Sequence, residues 1–187
     1  MATKKINPEM IAEKAIQLIV KRGYGNTSMS EIGESCGVLK GSLYHHFESK
    51  EKILLYILGS LQDSLRQHVF SIADNQDQSE QERLKQINKL LKAYFLDNKG
   101  CLIGVMGMES EMICDEAKKI MNQIFQDWKN TYIKLFKNHH TPYMAGVLAT
   151  NAIIFIEGAI VWLRITGEEA PLKRVFKDIE GYLVNAA

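Results

Sequence analysis

At 187 residues, 46% of them hydrophobic and 24% charged, the chain can bury one substantial core, or a small module beside a larger one, without disulfides or metals as staples. Three cysteines, Cys36, Cys101 and Cys114, form an odd set with no CxxC pair, and no charged-then-apolar leader precedes residue 11, so a cytoplasmic chain with reduced thiols is expected over a secreted disulfide scaffold. The net charge of +1 conceals a bias, because residues 1–50 carry seven Lys/Arg against five acids while the remainder is net −1; bulk charge alone therefore does not argue for nucleic acid, and patterning has to carry any such claim.

Three prolines and no clear alternating polar and apolar runs point to an all-α chain, and no internal repeat is visible. The basic arm 1–6 offers Lys4 and Lys5 to a phosphate backbone or simply to solvent. Asn7 as N-cap, Pro8 at the first helical position and Glu9 in the first turn open a helix with Ile11, Ala15, Leu18 and Ile19 on one face, and Gly23 ends it. Ser28 and Glu31 form a capping box that starts a second helix near Met29. Ile32 and Cys36 face inward there, Gly37 makes the turn, and Val38 anchors it. A third helix is expected from about Lys40 to Phe47, with Leu43 and Phe47 buried and Lys40, Ser42, Tyr44, His45 and His46 projecting elsewhere. Gly41 costs this helix about 1 kcal/mol against Ala, which makes sense where backbone approaches another surface closely. Leu39 is a poor cap for which local physics has no account.

Ser49 caps the next helix, whose Ile53, Leu54, Ile57, Leu58, Leu61, Leu65, Val69 and Ile72 form a broad stripe; from about residue 50 to 72 it would run roughly 35 Å, enough to act as a lever between modules. A polar loop is expected over 74–81, then a helix through Leu84, Ile87, Leu90, Leu91, Tyr94 and Phe95, broken at 97–100. The stretch from Gly100 to Cys114 is rich in glycine and in soft methionines. Met106, Met108 and Met112, with Cys101, Met121, Phe125, Trp128, Phe155 and Trp162, either line an apolar ligand cavity or fill the core. The uncharged run from Tyr143 to Ile156 stops at Glu157, short of membrane length, and reads as part of a buried helix from Tyr143 to Arg164. Gly167 ends it. Pro171 opens a last helix with Leu172, Val175, Phe176, Ile179, Tyr182 and Leu183 on one stripe, which must pack on something.

The string Thr27-Ser28, Ile32, Gly37-Val38, Lys40-Gly41-Ser42-Leu43-Tyr44-His45-His46-Phe47 and Ser49-Lys50-Glu51 resembles the signature of the tetracycline-repressor (TetR) family of bacterial transcription regulators, over roughly residues 8–55. Gly33 stands where that family often has Ala. The resemblance implies that the third helix enters the major groove, with Lys40, Gly41 and Ser42 near base edges or backbone. Tyr44, His45, His46 and Lys50 would mostly meet phosphates, as would Thr27 and Ser28 at the start of the second helix. It also implies a ligand cavity and a four-helix dimer interface built from the last two long helices of each subunit, where the Leu172–Leu183 stripe fits. The Gly-Cys-Leu opening at Cys101 resembles regulators that sense electrophiles or oxidants, although a buried cysteine is also a plain small hydrophobe.

The expected architecture is thus an N-terminal three-helix helix-turn-helix DNA-binding module, residues 1–48, joined by a long helix to a helical ligand-binding and dimerisation domain, residues 49–187. The expected function is a ligand-inducible repressor that binds a palindromic operator in double-stranded DNA as a homodimer, with a small-molecule inducer, no membrane, no cofactor and no metal. A helical-bundle enzyme or metal-binding protein is the alternative. No Glu-x-x-His pair, HExxH or Gly-rich phosphate loop supports it, and the adjacent His45 and His46 diverge by about 100° on a helix.

Overall fold

The computed structural model describes residues 6–183. Among these, nine α-helices and no strands follow in order: α1 Pro8–Arg22, α2 Met29–Cys36, α3 Lys40–Tyr44, α4 Lys50–His68, α5 Glu80–Asn98, α6 Leu102–Met108, α7 Asp115–Phe136, α8 Pro142–Thr166 and α9 Ala170–Glu180. The expected all-α class is the one observed. Lys4 and Lys5 lie outside the described residues. The chain forms two compact units, one from the described residues of Met1–Gln62 and Leu102–Met121, the other from those of Asp63–Cys101 and Asn122–Ala187.

In the first unit, Ile11, Ala15, Ile19, Ile32, Leu43 and Phe47 are buried together with Leu54 and Ile57 of α4. The first two helices start where their free amides find a side-chain acceptor. Asn7 Oδ1 accepts from the Met10 amide at 2.9 Å, and Ser28 and Glu31 exchange the expected reciprocal bonds of a capping box. The hydroxyl and amide of Ser28 hold the Glu31 carboxyl below its ordinary value of 4.5, so this cap is complete at neutral pH and is lost only as pH falls through that depressed value. At the other end of α2, Val38 N–H donates to Gly33 O and Gly37 N–H to Glu34 O, both at 2.9 Å. That is the Schellman pattern, and Gly37 makes it with φ +74°. The third helix is shorter than expected. Beyond Tyr44 the chain turns, and one further bond, Phe47 N–H to Leu43 O at 2.8 Å, brings Phe47 back to the core.

In the second unit, the stripe of α4 does not continue as α-helix to residue 72. The helix stops at His68 and a 3-10 turn, Phe70–Asp74, follows. Side chains satisfy carbonyls on both sides of this junction: Ser71 Oγ donates to Gln67 O of α4 at 2.8 Å and the buried Arg83 guanidinium to Ala73 O of the 3-10 turn at 2.6 Å. The turn thereby buries Phe70 and Ala73. The polar loop ends sooner than expected, at a second capping box between Ser79 and Glu82. Inside the unit, Tyr132 Oη donates to Asn88 Oδ1 at 2.9 Å and Asn88 Nδ2 donates to Phe176 O at 3.3 Å, so these two buried side chains link α5, α7 and α9.

Thr141 caps α8, Pro142 opens it and Gly167 ends it in the left-handed region. The small residues Ala145, Ala149, Ala152 and Ala159, with Ile156, Ile160 and Leu163, form its buried seam, and α9 packs closely on α8. Ile154, Phe155, Val161, Trp162 and Ile165 remain exposed. By length and composition α8 is apolar enough to cross a membrane, and only 33% of its most apolar window is buried. The expectation of a buried helix is therefore met on one face only.

Glu157 interrupts this apolar helix. Its Oε1 is enclosed without a hydrogen-bond partner, and burial pushes its carboxyl above 4.5, opposed by the Cys101 thiol. A carboxyl raised in the folded state favours folding most below its unfolded pKa, and that contribution is lost as pH rises through the folded value. Glu157→Gln is therefore expected to raise the unfolding midpoint at pH 7.5 by roughly 2–4 °C, the shift that about 1 kcal/mol produces at this chain length, and to change it little near pH 4. Calorimetry at the two pH values checks this. An equal shift at both would remove the charge explanation.

Candidate nucleic-acid interface

The orientation of α3 follows from what holds its inner side. Leu43 is fully buried, and the Phe47 ring packs edge-on against Tyr56 of α4, with centroids 5.3 Å apart. Tyr56 Oη in turn donates to Glu9 at 2.9 Å, tying α4 to α1. With Leu43 and Phe47 fixed inward, Lys40, Gly41, Tyr44, His45 and His46 are exposed and Ser42 is half-buried. The Lys40 ammonium lies 5.7 Å over the Tyr44 ring. One short segment therefore presents a cation, hydroxyls, an aromatic ring and two imidazoles to solvent, a set suited to phosphates and base edges.

Three expected contacts are placed differently. Thr27 is 1% exposed, and its hydroxyl donates to Gly23 O at 2.8 Å, closing the turn after α1. Ser28 is exposed, but its hydroxyl and amide are both engaged with Glu31, at 2.7 and 2.8 Å. Lys50 reaches back into the unit: its ammonium donates to Tyr24 O at 2.7 Å and sits 4.0 Å over the Tyr24 ring. Burial lowers its pKa, while Glu109 and Glu31 oppose that shift.

Glu109 is the residue that sequence reasoning missed. It follows α6, and its carboxylate accepts from the Tyr24 and Gly25 amides at 2.6 and 3.0 Å. The carboxylate occupies the space a β-carbon on Gly23 would need, and the Met112 sulfur does the same at Gly25. Gly23 also has φ +93°, so glycine is required there twice over. Two glycines flanking Tyr24 were the available signal of a close approach, although they do not identify the partner.

The expected cavity residues do not form one set. Cys101, Met106, Met121 and Trp128 are buried and Phe125 is half-buried. Trp128 stacks with Phe125 at 6.4 Å between centroids and lies tilted against Phe95 at 6.0 Å. Met108 and Met112 are exposed, and Phe155 and Trp162 lie on the open face of α8. The expected dimer stripe is likewise mostly spent inside the subunit. Leu172, Phe176, Ile179 and Leu183 are buried there, while Val175 and Tyr182 are half-buried. Tyr182 and Leu183 belong to a 3-10 turn, Gly181–Leu183, and not to α9. On α8, by contrast, Ile154, Phe155, Val161, Trp162 and Ile165 are exposed.

Residues 11–57 match the family described as bacterial regulatory proteins, tetR family. Residues 62–178 match the C-terminal domain of LmrA/YxaF-like transcriptional regulators. The chain is 27% identical over 168 residues to the HTH-type transcriptional repressor DhaR of Mycobacterium sp. (strain GP1), covering 87% of this chain and 84% of that protein. It is 24% identical over 184 residues to the HTH-type transcriptional regulator YxaF of Bacillus subtilis (strain 168), covering 96% of each. Among solved structures, the fold is similar to that of a TetR transcriptional regulator from Legionella pneumophila, with a TM-score of 0.83 and 22% identity over 96% of this chain and 98% of that one.

A β-carbon added at Gly41 would meet nothing within 4 Å in the protein itself. Gly41→Ala should therefore leave the fold intact and stabilise α3 by up to about 1 kcal/mol, while weakening binding to specific DNA tenfold or more if backbone meets DNA here. Thermal melts and fluorescence anisotropy on the same preparation separate the two effects. Unchanged affinity would show that α3 needs no close backbone approach.

Proposed function

The chain belongs to the TetR family of bacterial regulators and is a DNA-binding transcriptional regulator, and from that premise we propose that it is a homodimeric repressor released from a palindromic operator by a small molecule in the cytoplasm. Residues 1–48 read DNA in this proposal, and residues 49–187 dimerise and bind the ligand. The observation that carries the reading is the exposed segment from Lys40 to His46, held outward by Leu43 and Phe47. Lys40, Gly41 and Ser42 approach base edges, Tyr44, His45 and His46 meet phosphates, and Ser28 contributes through the exposed end of α2. Two-fold symmetry sets the α3 helices roughly 34–36 Å apart in successive major grooves.

The dimer face we propose is the open side of α8, where Phe155, Val161, Trp162 and Ile165 surround Gly158. An apolar strip of this extent beside a small residue suits a second copy of the same helix. Val175 and Tyr182 border it in the proposal, while the rest of the α9 stripe supports α8 from within. A ligand then acts by differential affinity for two subunit arrangements. Displacement of the segment that carries Glu109, or of α4, would move the α1–α2 turn and so change the spacing of the α3 helices. The reading assigns the chain no catalysis. His139 and His140, the adjacent histidine pair besides His45 and His46, are engaged with Glu80 and with Tyr182 O, each at 2.6 Å.

Fluorescence anisotropy on DNA from the region beside its own gene, at two salt concentrations, tests the function. Tight binding to one palindromic duplex, weakening steeply with salt, is expected, and weak sequence-indifferent binding at both concentrations would sink the reading. For the dimer, Trp162→Glu with Ile165→Glu should convert the protein to a folded monomer by light scattering and lower operator affinity at least a hundredfold. A dimer that persists would place the interface elsewhere.

A further inference from the structure

We propose that Leu39 reads the 5-methyl group of a thymine in each operator half-site. The inference rests on α3 as the DNA-reading helix and adds which base it selects there. Leu39 is the N-cap of α3, the position where Ser, Thr, Asp or Asn would accept a hydrogen bond from the open amides, and its side chain caps nothing. It is also 84% exposed, whereas Leu43 and Phe47 on the same segment are buried. An apolar side chain here forgoes a cap and gains no core packing, so stability of the chain does not explain it.

The residue is nonetheless held in a defined place. Its carbonyl accepts from the Ser42 amide at 2.9 Å, and its backbone is extended at φ −71° and ψ 150°, directed by the Schellman turn that precedes it. Lys40, immediately next to it, is exposed. A recognition helix meets base edges first with its N-terminal residues. Of the groups the major groove presents, the thymine methyl is the apolar one. An exposed leucine at the leading end of α3 is complementary to that group and to no hydrogen-bonding edge.

The test uses the full-length protein to enrich duplexes from a randomised library, then replaces each thymine of the enriched half-site by deoxyuridine, which removes only the methyl group. One replacement per half-site removes two methyl groups from the operator and is expected to weaken wild-type binding roughly fifteenfold, about fourfold for each buried methyl-sized group. Leu39→Ala is expected to bind the thymine and uracil duplexes equally. Leu39→Ser supplies the missing cap, so it should melt no lower than wild type while showing the same indifference, which separates a lost base contact from a lost fold. A wild-type protein that enriches a defined sequence yet tolerates uracil at every thymine overturns the proposal and leaves the DNA reading standing. So does a Leu39→Ala protein that still discriminates thymine from uracil. Failure to enrich any sequence at low salt overturns both.

Discussion

Two backbone amides in the turn after α1, those of Tyr24 and Gly25, point at the single carboxylate of Glu109, 2.6 and 3.0 Å away, and the carbonyl of Tyr24 accepts from the Lys50 ammonium at 2.7 Å. A turn whose donors face an anion and whose acceptor faces a cation is fixed from both sides by charge-assisted bonds, roughly twice as strong as neutral ones. Gly23 and Gly25 allow the approach, since side chains there would fill the space taken by Glu109 and Met112. The placement of α2 follows from the turn, because Thr27 closes it onto Gly23 and Ser28 begins the helix. The placement of α3 follows from α2 through the Gly37 turn. The position of the α3 segment therefore depends on a residue 85 positions downstream of Tyr24. Any movement of the Leu102–Met121 segment must carry the turn with it or break these bonds.

This dependence explains which parts of the structure were readable from the chain. The Asn7 and Ser28 caps, the Gly37 turn and the inward pair Leu43 and Phe47 are settled by partners close together in the chain, so spacing alone identifies them. Lys50 and Thr27 were not legible because their partners belong to a turn whose shape is set by Glu109. Both look like free surface donors in sequence. The end of α4 at His68 was hidden for a similar reason. The apolar stripe continues through Ile72, and only Ser71 and Arg83, bonding to carbonyls of Gln67 and Ala73, show where the helix tightens.

Periodicity has a further limit in α8 and α9. The stripe of α9 shows that Leu172, Phe176 and Ile179 must be covered, but not by what, and they are covered within the subunit. The high apolarity of α8 averages two faces of opposite design. Close packing on α9 requires small side chains, so alanines occupy the inner seam, and the bulky Phe155, Val161, Trp162 and Ile165 are left outside. The size of residues on each face, more than their hydrophobicity, separates internal packing from a surface awaiting a partner.

Leu39 and the outer face of α8 are both apolar surface that the subunit leaves uncovered, and their extents differ in an instructive way. A strip repeated over several helical turns matches another helix, whereas one leucine at the tip of a short helix matches a group of methyl size. Charge points in the same direction. Residues 1–50 are only +2, so phosphate neutralisation by one subunit is modest, and two linked readers gain far more from raising each other's effective concentration on DNA. In a regulator built this way, the distance between the two α3 segments governs affinity more than the number of phosphates each one touches. A ligand then has to alter only that distance.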